Sequence, residues 1–355
     1  MEKMSYYAFV AAVIAAGLAL VLYVGYAISG LRAARMQTAG NGFGMRTGTL
    51  GLVVEPRTAT FGKYGSILGW LAFAFLSAWL VFRTIATGHG PFANMYEFSV
   101  AFAWGILGAY YWFERSYHQR ILGLLALPIA LAMMLYAFLN PAPIDPLVPA
   151  LQNNLLLTVH VAVAIVAYGS FTIAFVAAIL FLCQQRPILR AFALGFTVAL
   201  LALVVGAIQS ALGIGAIIAV IVGTVVAGIV YALDGRKALA TIDTTGGGWG
   251  LPRPAVLDEI GYKAVVVGFP FLAATIVLGA LWAEVAWGRY WAWDPKETAS
   301  LVTWLIYATY LHARVIRGWT GSRAAILLQI GFGATILTYF GNYFFGGLHS
   351  YAGLG

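Results

Sequence analysis

Nine apolar stretches of about bilayer length divide this chain, at 5–29, 65–86, 96–113, 121–139, 155–183, 191–233, 264–286, 298–316 and 324–345. A hydrocarbon core of about 30 Å needs about 20 apolar residues in a helix. The stretch 191–233 carries no charge before Asp234 and is long enough for two spans. Gln209, Ser210, Gly213 and Gly215 mark a turn there and make it a helical hairpin. The expectation is an all-α integral membrane protein, a polytopic bundle of about ten transmembrane helices. Composition excludes the soluble alternative: 9% of residues are charged, against about 25% in soluble domains. The first run is too long for a signal-peptide core and shows no small-residue cleavage site, so it reads as a retained helix. A single cysteine, Cys183, excludes an internal disulfide and a CxxC redox pair.

The net charge of +8 matters through its placement. Alternate connections are basic: Arg32, Arg35, Arg46, Arg57 and Lys63; Arg115 and Arg120; Arg186 and Arg190; Arg236, Lys237, Arg253 and Lys263; Arg314, Arg317 and Arg323. Only Lys3, Arg83, Arg289 and Lys296 fall on the other side. Basic loops stay cytoplasmic, which puts both termini outside. Residues 1–355 read as one membrane domain with cytoplasmic loops at 31–63 and 234–262, the hairpin at 191–233 and an external tryptophan-rich loop at 287–297. GGGWG at 246–250 follows no strand and precedes no helix, so it reads as a linker and not a phosphate cradle. Nothing in the pattern asks for nucleic acid; the surrounding partner is lipid.

This topology sorts the five histidines. His118 lies in a short cytoplasmic loop beside Arg115 and Arg120 and reads as a solvated residue. His89 lies in GHGPFANMYEF, where Asn94 and Glu97 have the N-cap and N3 spacing of a capping box; these three could order the loop behind a ligand. His160 falls some five residues into the fifth helix, about 8 Å below its outer end at 1.5 Å per residue. His349, in GLHSYAGLG, lies just past the outer end of the last helix. His312 is about 21 Å down the ninth helix. An ionisable residue at membrane depth is a functional candidate, although each histidine could equally bond a neighbouring helix.

WGRYWAWDPKETAS, residues 287–300, places Trp287, Trp291 and Trp293 within seven residues. Interfacial tryptophans form belts at membrane surfaces. Asp294, Pro295 and Glu297 have the order of N-cap, N1 and N3, a complete helix start. The density of flat faces and the flexibility of Gly288 suit a planar macrocycle better than they suit a belt. Arg289 and Lys296 are the nearby cations; they could pair with ligand carboxylates or snorkel to headgroups. A stacking face, two cations and two histidines from distant helices are the parts that haem requires. A deeper site at His312 has no matching histidine in this chain, so an opposing ligand would come from another subunit, or the site would be five-coordinate.

W-G-x-x-W-x-W-D-P-K-E-T resembles the tryptophan-rich WWD signature of haem-handling proteins. LDEIGYK at 257–263, SLVTWLIYATYLHARVIRGW at 300–319, GLHSYA at 347–352 and HGPFANMYEF narrow the resemblance to the CcsA/ResC proteins of the system II cytochrome c synthase, over about 83–183 and 257–352. The resemblance implies that His160 and His349 are external axial ligands of haem over the WWD surface formed by Trp287, Gly288, Trp291, Trp293 and Asp294. It implies that His312 is a transmembrane haem ligand whose opposing histidine belongs to a CcsB/ResB-type subunit. It also implies an eight-helix core, to which the 191–233 hairpin is an added pair.

The resulting expectation is a haem lyase subunit in a bacterial cytoplasmic membrane, rather than a thylakoid one. It would present haem b for thioether attachment to the CxxCH thiols of apocytochrome c, with a thioredoxin-like reductant keeping those thiols reduced. Three alternatives stand beside it: a WWD haem exporter without ligase activity, a respiratory cytochrome with permanent haems, and a transporter of a small solute. LDEIGYK and GLHSYA argue against the first, and the unmatched depths of the histidines against the second. Haem-free protein would favour the third.

Overall fold

A computed structural model describes residues 1–40, 56–144, 151, 154–208, 212–235, 251–344 and 347–349. They form ten α-helices with no strand among them: α1 (Glu2–Gly40), α2 (Pro56–Thr87), α3 (Met95–Tyr117), α4 (Gly123–Leu139), α5 (Asn154–Cys183), α6 (Pro187–Ile208), α7 (Leu212–Gly235), α8 (Pro254–Trp287), α9 (Pro295–Arg317) and α10 (Ser322–Phe344). Every apolar run falls in a helix, and 191–233 divides into α6 and α7 as the sequence predicts. Gly213 and Gly215 lie inside α7; Gln209 and Ser210 lie outside the described residues, as do GGGWG and the last residues of GLHSYA.

Several helices continue past their apolar runs. α1 reaches Gly40, α2 starts at Pro56 and α8 at Pro254. Backbone bonding satisfies a helix at any polarity, so a helix can leave the bilayer without ending, whereas an apolar run stops at the headgroups. Seven helices (α1, α2, α4, α5, α6, α8 and α10) include segments both long and apolar enough to span a membrane, and α7 has a shorter apolar segment at 220–231. In α3 and α9 polar residues interrupt the run. The chain is a polytopic helical membrane protein.

α5 is the centre of the bundle, in contact with α3, α6, α8 and α10. Its run from Ala167 to Leu182 is apolar on nearly every face and almost wholly buried, as expected of a helix with no exposed stripe. α1 pairs with α2, α6 with α7, and α9 with α10.

Charged groups tie the helix ends. At one end, Arg83 Nε of α2 bonds Glu97 Oε1 of α3 at 2.7 Å, both residues buried. Half of the expected capping box is present: Asn94 Oδ1 accepts the Glu97 N–H at 2.9 Å, while Glu97 Oε2 accepts the N–H of Ala93, the residue before the N-cap, at 2.9 Å. Arg83 therefore braces the bundle and does not face the outer surface. At the other end Arg314 Nη1 of α9 bonds Asp258 Oδ2 of α8 at 2.6 Å. Asp258 Oδ1 accepts the Gly321 N–H at 3.0 Å where α10 begins.

Candidate functional site

The starts of α3, α5 and α9 and the ends of α8 and α10 meet at the end of the bundle away from the basic connections. They line a partly open cavity of about 120 Å³. Its walls include Met95 and Phe98 of α3, His160 of α5, Thr275, Gly279 and Trp282 of α8, Lys296 and Glu297 of α9, and His349. Small-molecule pockets are mostly apolar with a few placed polar groups, which is the character of these walls.

His160 enters from α5. Its ring lies nearly parallel to Trp282, with centroids 6.4 Å apart and 19° between planes. Gly279 makes room for the imidazole, since a Cβ there would stand 2.9 Å from His160 Cε1. Nδ1 of His160 is buried and has no hydrogen-bond partner. An unpaired buried polar atom is expensive, so this nitrogen has capacity for a ligand or a water.

His349 arrives from the opposite direction, beyond α10. Its Nδ1–H donates to Asp294 Oδ2 at 2.8 Å, and the Leu348 N–H donates to Asp294 Oδ1 at 2.6 Å. Burial alone would raise the Asp294 carboxyl; the His349 hydrogen bond, then the Leu348 and Lys296 N–H groups, outweigh it and hold the carboxyl below its usual value. Burial presses the His349 imidazole below its ordinary value, against the pull of Asp294. The pair is thus a carboxylate and a neutral imidazole. A neutral ring whose Nδ1 donates keeps the Nε2 lone pair for a metal, the arrangement found behind most metal-bound histidines.

Asp294 also starts α9. It accepts the Lys296 N–H at 3.1 Å, and Glu297 Oε2 accepts the N–H groups of Ala292 at 2.8 Å and Asp294 at 3.2 Å. The helix start expected from D-P-K-E is therefore present, and the carboxylate that makes it also holds His349.

Trp287 stands edge-on to His349, with ring centroids 5.0 Å apart. Trp291 lines the cavity and meets Trp293 edge to face at 5.8 Å. Trp293 is 70% exposed, has φ 57° and lies outside the lining. Gly288, at φ 70°, caps the end of α8 in the left-handed region. Lys296 lines the cavity, its Nζ 6.0 Å from the Phe98 ring; Arg289 is exposed on the loop and does not. His89 Nδ1 faces the Gly90 carbonyl at 2.8 Å and stays outside the cavity with Asn94 and Glu97. His312 is exposed on α9.

Trp282 is the wall residue that sequence reading missed. It is 2% exposed and packs near both imidazoles, 6.4 Å from His160, 5.8 Å from His349 and 4.9 Å from Trp287. Within the apolar run it is one more large residue; only its place five residues before WGRYWAW hinted at the site. Gly279 and the Asp294–His349 bond gave no local signal at all.

The profile of a family described as cytochrome C assembly protein matches residues 92–349, which include every wall residue named above. Among curated relatives, the cytochrome c biogenesis protein CcsA of Gloeobacter violaceus is 37% identical over 295 residues, covering 78% of this chain and 82% of its own. The protein of the same name from Synechocystis sp. is 37% identical over 286 residues, covering 78% and 84%. That from Porphyra purpurea is 32% identical over 315 residues, covering 84% and 90%.

Proposed function

The chain belongs to the cytochrome c assembly protein family and is a multi-pass membrane protein of cytochrome c maturation, and from that premise we propose that its cavity holds haem b, as cargo, for attachment to apocytochrome c. The observation that carries this reading is the convergence of His160 and His349 on one cavity, both beside Trp282. His160 and His349 supply the axial imidazoles. Asp294 fixes the tautomer and direction of His349. Trp282, Trp287 and Trp291 offer faces and edges to the macrocycle, and Lys296 meets a propionate within the cavity.

The bond-forming step adds each CxxCH thiol across a haem vinyl group. Sulfur bonds to one vinyl carbon while the thiol hydrogen passes to the other, so no oxidant or reductant is consumed. The chain contributes position: two imidazoles hold the iron, and one yields to the histidine of CxxCH. The thiols come from the cytochrome, kept reduced by a thioredoxin-like protein, which suits a chain with one cysteine.

His312 is assigned to a second site. Its exposure on α9, beside the exposed apolar residues Leu305, Val315 and Ile316, suits a ligand completed by a CcsB/ResB-type subunit. The setting is a bacterial cytoplasmic membrane, with the cavity facing outward.

Reconstitution tests the whole reading. The chain, a CcsB/ResB-type subunit, haem and a reduced CxxCH apocytochrome are combined in liposomes, and denaturing gels are stained for covalent haem. The expected result is a stained cytochrome band that disappears with SxxSH apocytochrome and with His349→Ala. A band of equal strength with His349→Ala would overturn the assignment.

A further inference from the structure

A second cavity, of about 390 Å³, opens at the opposite end of the bundle and is lined by Trp70, Tyr111, Glu114, Arg115, His118 and Arg120. α2 supplies Trp70, α3 supplies Tyr111, Glu114 and Arg115, and the connection to α4 supplies the other two. His118, at φ 54°, ends α3 in the left-handed region and turns the chain back over the cavity.

Glu114 is already satisfied. It accepts the Tyr23 hydroxyl at 2.8 Å and the Ser66 hydroxyl, and Arg120 Nε lies 3.6 Å away. Arg115 and His118 are not: among the described residues their side chains have no hydrogen bond or ion pair, although both line the cavity. Tyr111 is fully buried, and its hydroxyl has no partner. It is accommodated only because position 69 is glycine, whose Cβ would overlap that oxygen. Two guanidinium groups and an imidazole face one neutralised carboxylate, so the cavity has positive charge to spare. Those are the groups that bind a phosphate.

The surroundings identify what bears that phosphate. Trp70, Ile67 and Trp112, on the same ends of α2 and α3, are about half exposed, and the basic connections mark this end as the cytoplasmic membrane surface. Basic pockets between transmembrane helices on that side suit anionic lipid headgroups. We propose that this cavity binds the phosphodiester headgroup of an anionic phospholipid from the cytoplasmic leaflet, with Arg115 and Arg120 on the phosphate and Trp70 along the upper acyl chain. The bound lipid joins α2, α3 and α4 at the far end of the helix whose start lines the outer cavity.

Native mass spectrometry of the whole chain, released from micelles containing equal phosphatidylglycerol and phosphatidylcholine, tests this. The chain should keep one phosphatidylglycerol in preference to phosphatidylcholine, and Arg115→Gln should weaken retention roughly tenfold, as loss of one charged hydrogen bond does. Arg115 holds nothing else, so the variant's melting temperature should match the parent's, and Lys3→Gln at the other end should retain lipid normally. Equal retention of the two lipids, or unchanged retention in Arg115→Gln, would overturn the proposal. Displacement of phosphatidylglycerol by inorganic phosphate would assign the cavity to a soluble anion and overturn the lipid assignment.

Discussion

Asp294 shares two carboxylate oxygens among three donors: the Lys296 N–H that starts α9, the Leu348 N–H and His349 Nδ1. Asn caps helices about as well as Asp, so Asp294→Asn separates the capping role from the charge. We expect a little-changed melting temperature but haem affinity lowered roughly 10–100-fold, as for other partners of metal-bound histidines, read by titrating haem against the absorption spectrum. Gly279→Ala tests the other imidazole. Its methyl would stand 2.9 Å from His160 Cε1, closer than carbon atoms pack, so the ring must turn. Haem binding should weaken by about as much as in His160→Ala, and combining the two should add little, because contacting residues do not act independently. At this scale the sequence disclosed residue types and depth: His160 and His349 were traced to one end of the molecule, and Asp294 to a helix start. The bond between Asp294 and His349 was hidden because it spans 55 residues and depends on how α9 and α10 pack.

Among the elements, the ends of α2 and α3 are held by a buried ion pair. Removing one partner from such a pair costs about 3–5 kcal/mol, because the other charge is left uncompensated, whereas well-packed apolar replacement of both is often neutral. Glu97→Gln should therefore lower the melting temperature of the detergent-solubilised chain sharply, and Arg83→Met with Glu97→Leu should recover most of the loss. A double variant as unstable as the single one would show that capping by Glu97 outweighs the pairing. The helices themselves were legible because a bilayer demands long apolar runs and each run became one helix, or two in 191–233. Their full lengths were not, since α1, α2 and α8 continue through polar sequence where nothing apolar marks the end. The pairing of Arg83 with Glu97 was not legible for a related reason: charge counting records a residue's side of the membrane but not its partner.

For the molecule as a whole, the two ends carry cavities of different lining. The end away from the basic connections gathers five helix termini and the histidine cavity; His312 faces outward from α9, apart from that cavity. A ligand awaiting a partner should be silent without it. In the isolated chain, His312→Ala should leave bound haem unchanged; in complex with a CcsB/ResB-type subunit it should remove a second haem, quantified by pyridine haemochrome. Loss of haem from the isolated chain would instead place His312 within a site this chain completes by itself. The account rests most directly on two histidines sharing one haem, and the absorption spectrum of the purified chain loaded with reduced haem reads that sharing. The unaltered chain should show the sharp bands of low-spin, two-imidazole iron, and His160→Ala and His349→Ala should each convert them to a high-spin form or abolish them. A chain that binds no haem, or a low-spin spectrum indifferent to both substitutions, would contradict it.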